Sequence, residues 1–238
     1  MKLTVLGKFG PYPKAGGACS SYLAEWGETK ILLDAGNGSL SNMQHKTGIG
    51  SLNAVILSHL HSDHMSDLLV MRYAIQIKKY ASIPLYLPAT PQDMYGLLAG
   101  EKAFHTDVVT DGKQIQINGA AISFKKMTHA VESYAVKIEY QDKMLVYSGD
   151  TNLNSGLAVF AMNADLLVCD AQFNNQNLFP GAPHLSAAQA AQIAKEAGVK
   201  KLLLSHMNPE QVEASLLWEA KEHFAACEIA QEMCEYTI

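Results

Sequence analysis

The run Ser58-His59-Leu60-His61-Ser62-Asp63-His64 constrains this chain more than any other stretch. It sets three histidines and one aspartate within six positions, directly after the strand-like apolar run 54–57. Imidazole nitrogen and carboxylate oxygen are the ligands that zinc and similar divalent cations take. On a loop at a strand end, alternate residues point to different sides of one small pocket. Two cations with partly separate ligand sets can be built that way, provided the rest of the chain supplies further ligands.

Those residues are present. His129 in Met127-Thr128-His129-Ala130, His184 in Pro183-His184-Leu185-Ser186 and His206 in Leu203-Leu204-Ser205-His206 each follow or interrupt a short apolar or turn-like stretch, as loops at strand ends do. Asp150 closes Tyr147-Ser148-Gly149-Asp150-Thr151 after the strand-like run 144–147. Taken singly, each of these histidines reads more naturally as a structural residue; the joint pattern marks a metal site. His45, His105 and His223 lie in polar or helical surroundings and read as surface or structural residues.

The order His-x-His-x-Asp-His, lone His, lone Asp, lone His resembles the metallo-β-lactamase superfamily, and within it the ribonuclease Z-like branch. The resemblance runs from the N-terminal strands through His206. It implies that His59, His61 and His129 hold one divalent cation and that Asp63, His64 and His206 hold another. Asp150 and a hydroxide would bridge them, and Asp63 would orient that hydroxide for attack. Zinc fits the ligands, and the same mix accepts manganese or iron. Such a centre suits hydrolysis of a phosphodiester, thioester, lactone or β-lactam.

A second group narrows the chemistry. His184 lies 22 positions before His206, and the segment Ala182-Pro183-His184-Leu185-Ser186-Ala187-Ala188-Gln189 is similar to the histidine-and-helix segment of the ribonuclease Z branch. There the histidine contacts the scissile phosphate. Asp170 matches the position of its acidic partner, usually a glutamate. A carboxylate bonded to one imidazole nitrogen fixes the tautomer and favours the imidazolium, which can protonate a leaving oxygen.

One departure limits the substrate. Ribonuclease Z carries a long tRNA-gripping arm between the equivalents of His129 and Asp150, whereas here that interval holds twenty residues, filled by a hairpin. The formal net charge of −5 also argues against a broad basic surface for long nucleic acids. The expectation is a phosphodiesterase for small or cyclic phosphodiesters. The alternatives are a thioesterase or lactonase of the same fold, or a ribonuclease Z-type tRNA 3′-processing endonuclease. Asp67 stands where many relatives have glycine.

At 238 residues, 48% hydrophobic and 17% charged, the chain has material for one domain spanning 1–238. Its four cysteines lack any Cys-x-x-Cys pair and read as free buried thiols in a reducing cytoplasm. The N-terminal strand is too short for a signal-peptide core, and no apolar run approaches the roughly 20 residues of a membrane span. A cytoplasmic protein, and a homodimer as relatives often are, is expected.

The elements fall into two similar halves. Strands are expected at 2–6, 20–24, 30–34, 54–57 and 85–87, with helices at 65–79 and 91–98. Further strands are expected at 114–118, 121–127, 134–140, 143–148, 165–169 and 201–205. Ser186 with Gln189 three positions on resembles a capping box opening a helix over 186–198. A helix at 209–227 and a final strand at 228–236 follow. Two facing sheets with helices outside, a four-layer αββα sandwich, accommodate this order and match the family fold.

Overall fold

In the computed structural model, which describes residues 1–153 and 155–238, central strands such as 54–56, 166–170 and 201–205 are buried on both faces. Such strands need cover on both sides, and the molecule provides it in four layers. The first sheet contains β1 (Lys2–Gly7), β2 (Ser21–Trp26), β3 (Thr29–Leu33), β4 (Ala54–Ile56), β5 (Ile83–Leu87) and β6 (Phe104–Val108). The second contains β7 (Gln114–Ile117), β8 (Ala120–Met127), β9 (Ser133–Tyr140), β10 (Lys143–Tyr147), β11 (Leu166–Asp170), β12 (Lys201–Ser205) and β13 (Cys227–Ile229). The last strand, β14 (Glu235–Thr237), returns to the first sheet, giving the orders β14-β1-β2-β3-β4-β5-β6 and β13-β12-β11-β10-β9-β8-β7.

Alternation along each strand sorts the core. Leu3, Val5, Ile31 and Leu33 from one sheet meet Ile122, Val136, Leu145 and Leu203 from the other. The intervening residues face outward to helices. Leu32 and Val55 pack with α1 (Ser39–Gln44) and α3 (Leu68–Ile77) through Met43, Leu68, Met71 and Ile75. Leu167, Leu202 and Leu204 pack with α5 (Ser155–Phe160), α6 (Ala187–Ala197) and α7 (Glu213–Lys221). Full burial of each such side chain contributes roughly 1.5–3 kcal/mol. On α3, Val70, Tyr73 and Ile77 remain exposed.

The topology gathers the site. In each sheet three antiparallel pairs give way to three parallel ones. Parallel strands end on the same side, where open α/β sheets bind ligands. The loops after β4, β8, β10, β11 and β12 therefore converge on one edge of the sandwich. Hydrogen bonds tie the sheets there, among them Tyr134 N to Ser58 O at 2.9 Å and the Tyr22 and Ser205 hydroxyls at 2.6 Å.

Four sequence expectations change. The helix expected over 65–79 is split into α2 (Ser62–Met65) and α3, because Ala35 inserts between them: its N–H donates to His64 O and its carbonyl accepts from Asp67 N. The expected strand 228–236 is two strands in different sheets. Met233 takes a left-handed turn and donates to Val5 O, carrying the chain across the sandwich. The helix expected over 209–227 is confined to α7, since Asn208 Oδ1 accepts from Glu210 N in a turn and Ala226 O is drawn into pairing with Leu202 N. Cys234 is exposed, while Cys19, Cys169 and Cys227 are buried, and all four are free. The helix α4 (Gln92–Gly96) lies within the expected 91–98.

Candidate metal centre

The loop after β4 carries His59 and His61, and the α2 turn that follows it carries Asp63 and His64, into the edge where the parallel strands end. His129 follows β8, Asp150 follows β10, Asp170 ends β11, and His206 follows β12. Every ligand expected from the sequence arrives at this one place.

The imidazoles and carboxylates fall into three groups of neighbouring ligand atoms, linked through Asp150 and His206. Ligand atoms of His59, His61, His129 and Asp150 lie within 4.8 Å of one another, as do those of Asp63, His64 and His206. In the first group, His61 Nδ1 lies 3.1 Å from His59 Nε2 and 3.2 Å from His129 Nε2. In the second, His206 Nε2 is 3.3 Å from Asp63 Oδ2. Asp150 joins the two: Oδ2 is 3.5 Å from His59 Nε2 and 3.2 Å from His206 Nε2, and Oδ1 is 3.3 Å from His64 Nε2.

For His59, His64 and His129 the nitrogen turned away from the centre is held. His64 Nδ1 donates to Asp34 Oδ2 at 2.7 Å, and His129 Nδ1 donates to Pro183 O at 3.1 Å. His59 Nδ1 donates to Ser58 Oγ at 3.0 Å, whose own hydroxyl donates to Asp34 Oδ2 at 2.7 Å. Each bond fixes the tautomer that leaves Nε2 as a lone pair toward the centre. Asp34 also accepts from Ser58 N at 2.7 Å and Tyr147 Oη at 2.6 Å. In the sequence it reads as part of a turn, and its role emerges only once β3 and β4 pair. Asp34 (φ 55°) and His206 (φ 56°) both occupy the left-handed region, strain of the kind stored at functional sites. Gly10 crosses over His206 so closely that a Cβ would sit 2.0 Å from Nε2, so only glycine fits there.

Electrostatics matches a cation site. Burial, then the neighbouring imidazoles, hold His59 well below the usual histidine range, and burial also lowers His61 and His129. Neutral imidazole is the ligating form. Burial would raise Asp150, yet His206, His64 and His59 outweigh it and keep this carboxylate ionised. Burial would likewise lower His64, but Asp150, Asp63 and Asp34 hold it well above its ordinary value. The pocket thus concentrates negative potential at His64 Nε2. That atom and both Asp150 oxygens are buried without a hydrogen-bond partner among the described residues. Buried orphan polar atoms are costly, and a divalent cation bound between these nitrogens and oxygens would satisfy all three. The donor set fits zinc, manganese or iron.

His184 belongs to a third group, with Asp150, Asp170 and His206, whose ligand atoms also lie within 4.8 Å of one another. Its Nδ1 donates to Asp170 Oδ2 at 2.9 Å and is 3.8 Å from Asp150 Oδ2. Burial would lower it, but the Asp170 carboxylate raises it to about 9. Asp170 is itself set by Thr151 N at 3.2 Å and Gln172 N at 3.3 Å. His45 and His105 are exposed and His223 half-buried.

The model of the beta-lactamase superfamily domain matches residues 29–207. The chain belongs to the beta-lactamase superfamily. YhfI of Bacillus subtilis (strain 168), named as a probable metallo-hydrolase, is 30% identical over 94% of this chain and 94% of its own. The crystal structure of the metallo-beta-lactamase fold protein YhfI covers 99% of this chain and 98% of that one, with a TM-score of 0.94. Ribonuclease Z from Salinispora arenicola (strain CNS-205) is 24% identical over 98% of this chain and 94% of its own.

Proposed function

We propose that this chain is a dinuclear-metal-dependent phosphodiesterase acting on small or cyclic phosphodiesters. The hydrolase class rests on family membership, the His/Asp clusters and the metallo-hydrolase and ribonuclease Z names of its relatives. His59, His61 and His129 would hold one cation and Asp63, His64 and His206 the other, with Asp150 shared. Zinc, manganese or iron, when bound, supplies a nucleophilic water at neutral pH and Lewis-acid stabilisation of developing charge.

The observation that carries the phosphodiester reading is the Asp170–His184 pair, 2.9 Å apart and clustered with Asp150 and His206. Asp170 engages Nδ1 and leaves Nε2–H as the donor. A phosphodiester, like a lactone, expels an alkoxide that needs a proton, and the His184 imidazolium gives one; for the phosphodiester it also balances the formal charge on the phosphoryl oxygens, which a carbonyl substrate lacks. Asp63 lies on the rim of the second group and would orient the attacking water.

The test is a rate panel on zinc- and manganese-loaded protein with bis(p-nitrophenyl) phosphate, a 2′,3′-cyclic nucleotide, a thioester and a lactone. Wild type is expected to turn over the phosphodiesters. Asp150→Ala should abolish this, and His184→Ala should cost the cyclic nucleotide about 100-fold or more. Thioester or lactone turnover that dominates and survives His184→Ala would overturn the assignment.

A further inference from the structure

Asp170 ends β11 and pairs in register with Ser205 on β12, which brings its carboxylate beside His206, the next residue along. The His184 and His206 rings lie nearly parallel, their centroids 4.8 Å apart and their planes 18° from each other. Both rings turn Nδ1 toward this one carboxylate. His184 Nδ1 donates to Oδ2 at 2.9 Å, and His206 Nδ1 lies 3.8 Å from Oδ1. An ionised carboxylate has about four acceptor positions. Thr151 N and His184 Nδ1 use two on Oδ2, and Gln172 N uses one on Oδ1. The position left among the described residues is on Oδ1, the oxygen that His206 Nδ1 approaches. That nitrogen is buried and has no hydrogen-bond partner among the described residues. The outward nitrogens of His59, His64 and His129, by contrast, are each held.

We propose that Asp170 is a positioning residue for the metal ligand His206 as well as for His184, so that one carboxylate holds the second cation and the proton donor in register. This rests on the cation assignment made above and not on the bond that the centre cleaves. When His206 Nε2 gives its lone pair to a cation, Nδ1 carries the proton of the neutral ring. A buried N–H without an acceptor is costly, and Asp170 Oδ1 is the acceptor in place to satisfy it. The 3.8 Å separation is slightly longer than a hydrogen bond, and a small turn of the imidazole closes it. A carboxylate on the far nitrogen fixes the angle of a ligating histidine and makes it a stronger donor to the cation. The backbone amides of Thr151 and Gln172 hold that carboxylate, so its placement is inherited from the strand ends.

The experiment compares full-length wild type, Asp170→Asn, Asp170→Ala and His184→Ala, with thermal melting of the metal-free proteins as the check on folding. Zinc affinity is measured by competition with a chromophoric chelator, and the imidazole nitrogens of the zinc-loaded proteins are followed by heteronuclear NMR. Both Asp170 variants are expected to bind zinc about 10–100-fold more weakly than wild type and to shift the His206 Nδ1–H resonance. His184→Ala is expected to match wild type in zinc affinity. If Asp170→Ala fails to fold, Asp170→Asn, which keeps the side chain's shape, decides. Wild-type affinity in the Asp170 variants, or an unmoved His206 resonance, would overturn the proposal. A loss in His184→Ala equal to that in Asp170→Asn would also overturn it, because the effect would then follow the pair and not His206. Wild type that takes up no zinc would overturn the cation assignment itself. The expected pattern in a protein that hydrolyses a thioester or lactone in preference would leave this proposal standing and remove the phosphodiesterase reading.

Discussion

Asp170 decides at what pH His184 carries its proton, and so where activity should fall on the alkaline side. In the proposed role His184 works while protonated, so the rate should drop as pH rises through its pKa. Asp170 raises that pKa against burial, and its removal lets burial prevail. In Asp170→Asn the alkaline limb of kcat/KM for an alkanol-releasing diester should therefore move to lower pH than in wild type, with activity down about 100-fold. An unmoved limb would separate Asp170 from the acid. Asp34 acts differently, since it touches no cation position and reaches the centre through His64 and Ser58. Asp34→Asn puts an amide where Tyr147 and Ser58 need an acceptor, and should weaken metal affinity by about 10–100-fold, measured by competition with a chromophoric chelator. The directly ligating types were legible because histidine and aspartate cluster visibly in the chain. Asp34, Ser58 and Tyr147 were not, because their convergence depends on the two sheets facing each other, with Asp34 and Tyr147 113 positions apart. Asp67, noted in the sequence only as a departure, caps α1 by accepting from Leu40 N at 2.7 Å.

At the scale of elements, α6 shows how local sequence places chemistry. Ser186 Oγ accepts from Gln189 N at 3.2 Å, and Gln189 Oε1 accepts from Ser186 N at 3.0 Å, a reciprocal box two residues after His184. Ser186→Ala should cost about 1 kcal/mol, a fall in Tm of about 2–4 °C by calorimetry for a chain of this size. It should also lower kcat, since the turn holding His184 loosens with the cap. This helix was readable from its cap, and most strands from their apolar runs. β6 was not, because its edge position leaves His105 and Asp107 exposed and breaks the apolar pattern. The division of the C-terminal strand between two sheets had no local signal either, as it depends on Met233 bonding to Val5 in the distant first strand.

Across the whole molecule, the candidate metal centre draws on both sheets. β4 delivers its ligands from one, while β8, β10 and β12 deliver theirs from the other. Bound cations should therefore stabilise the entire sandwich. At about 100 times the dissociation constant a cation is worth about 2.7 kcal/mol, so chelation should lower Tm by roughly 5–10 °C. Asp150→Ala should remove most of that metal-dependent difference, because its carboxylate is shared by both groups. The central claim is that His184 delivers a proton to a departing alkoxide, and it is tested most directly by varying how much the leaving group needs one. The measurement is kcat/KM of wild type and His184→Ala on two diesters with the same retained group, one releasing an alkanol and the other p-nitrophenol, which departs readily as its anion. The expected result is a loss of about 100-fold or more for the alkanol diester and a far smaller one for the p-nitrophenyl diester. Equal losses on the two would contradict the role assigned to His184.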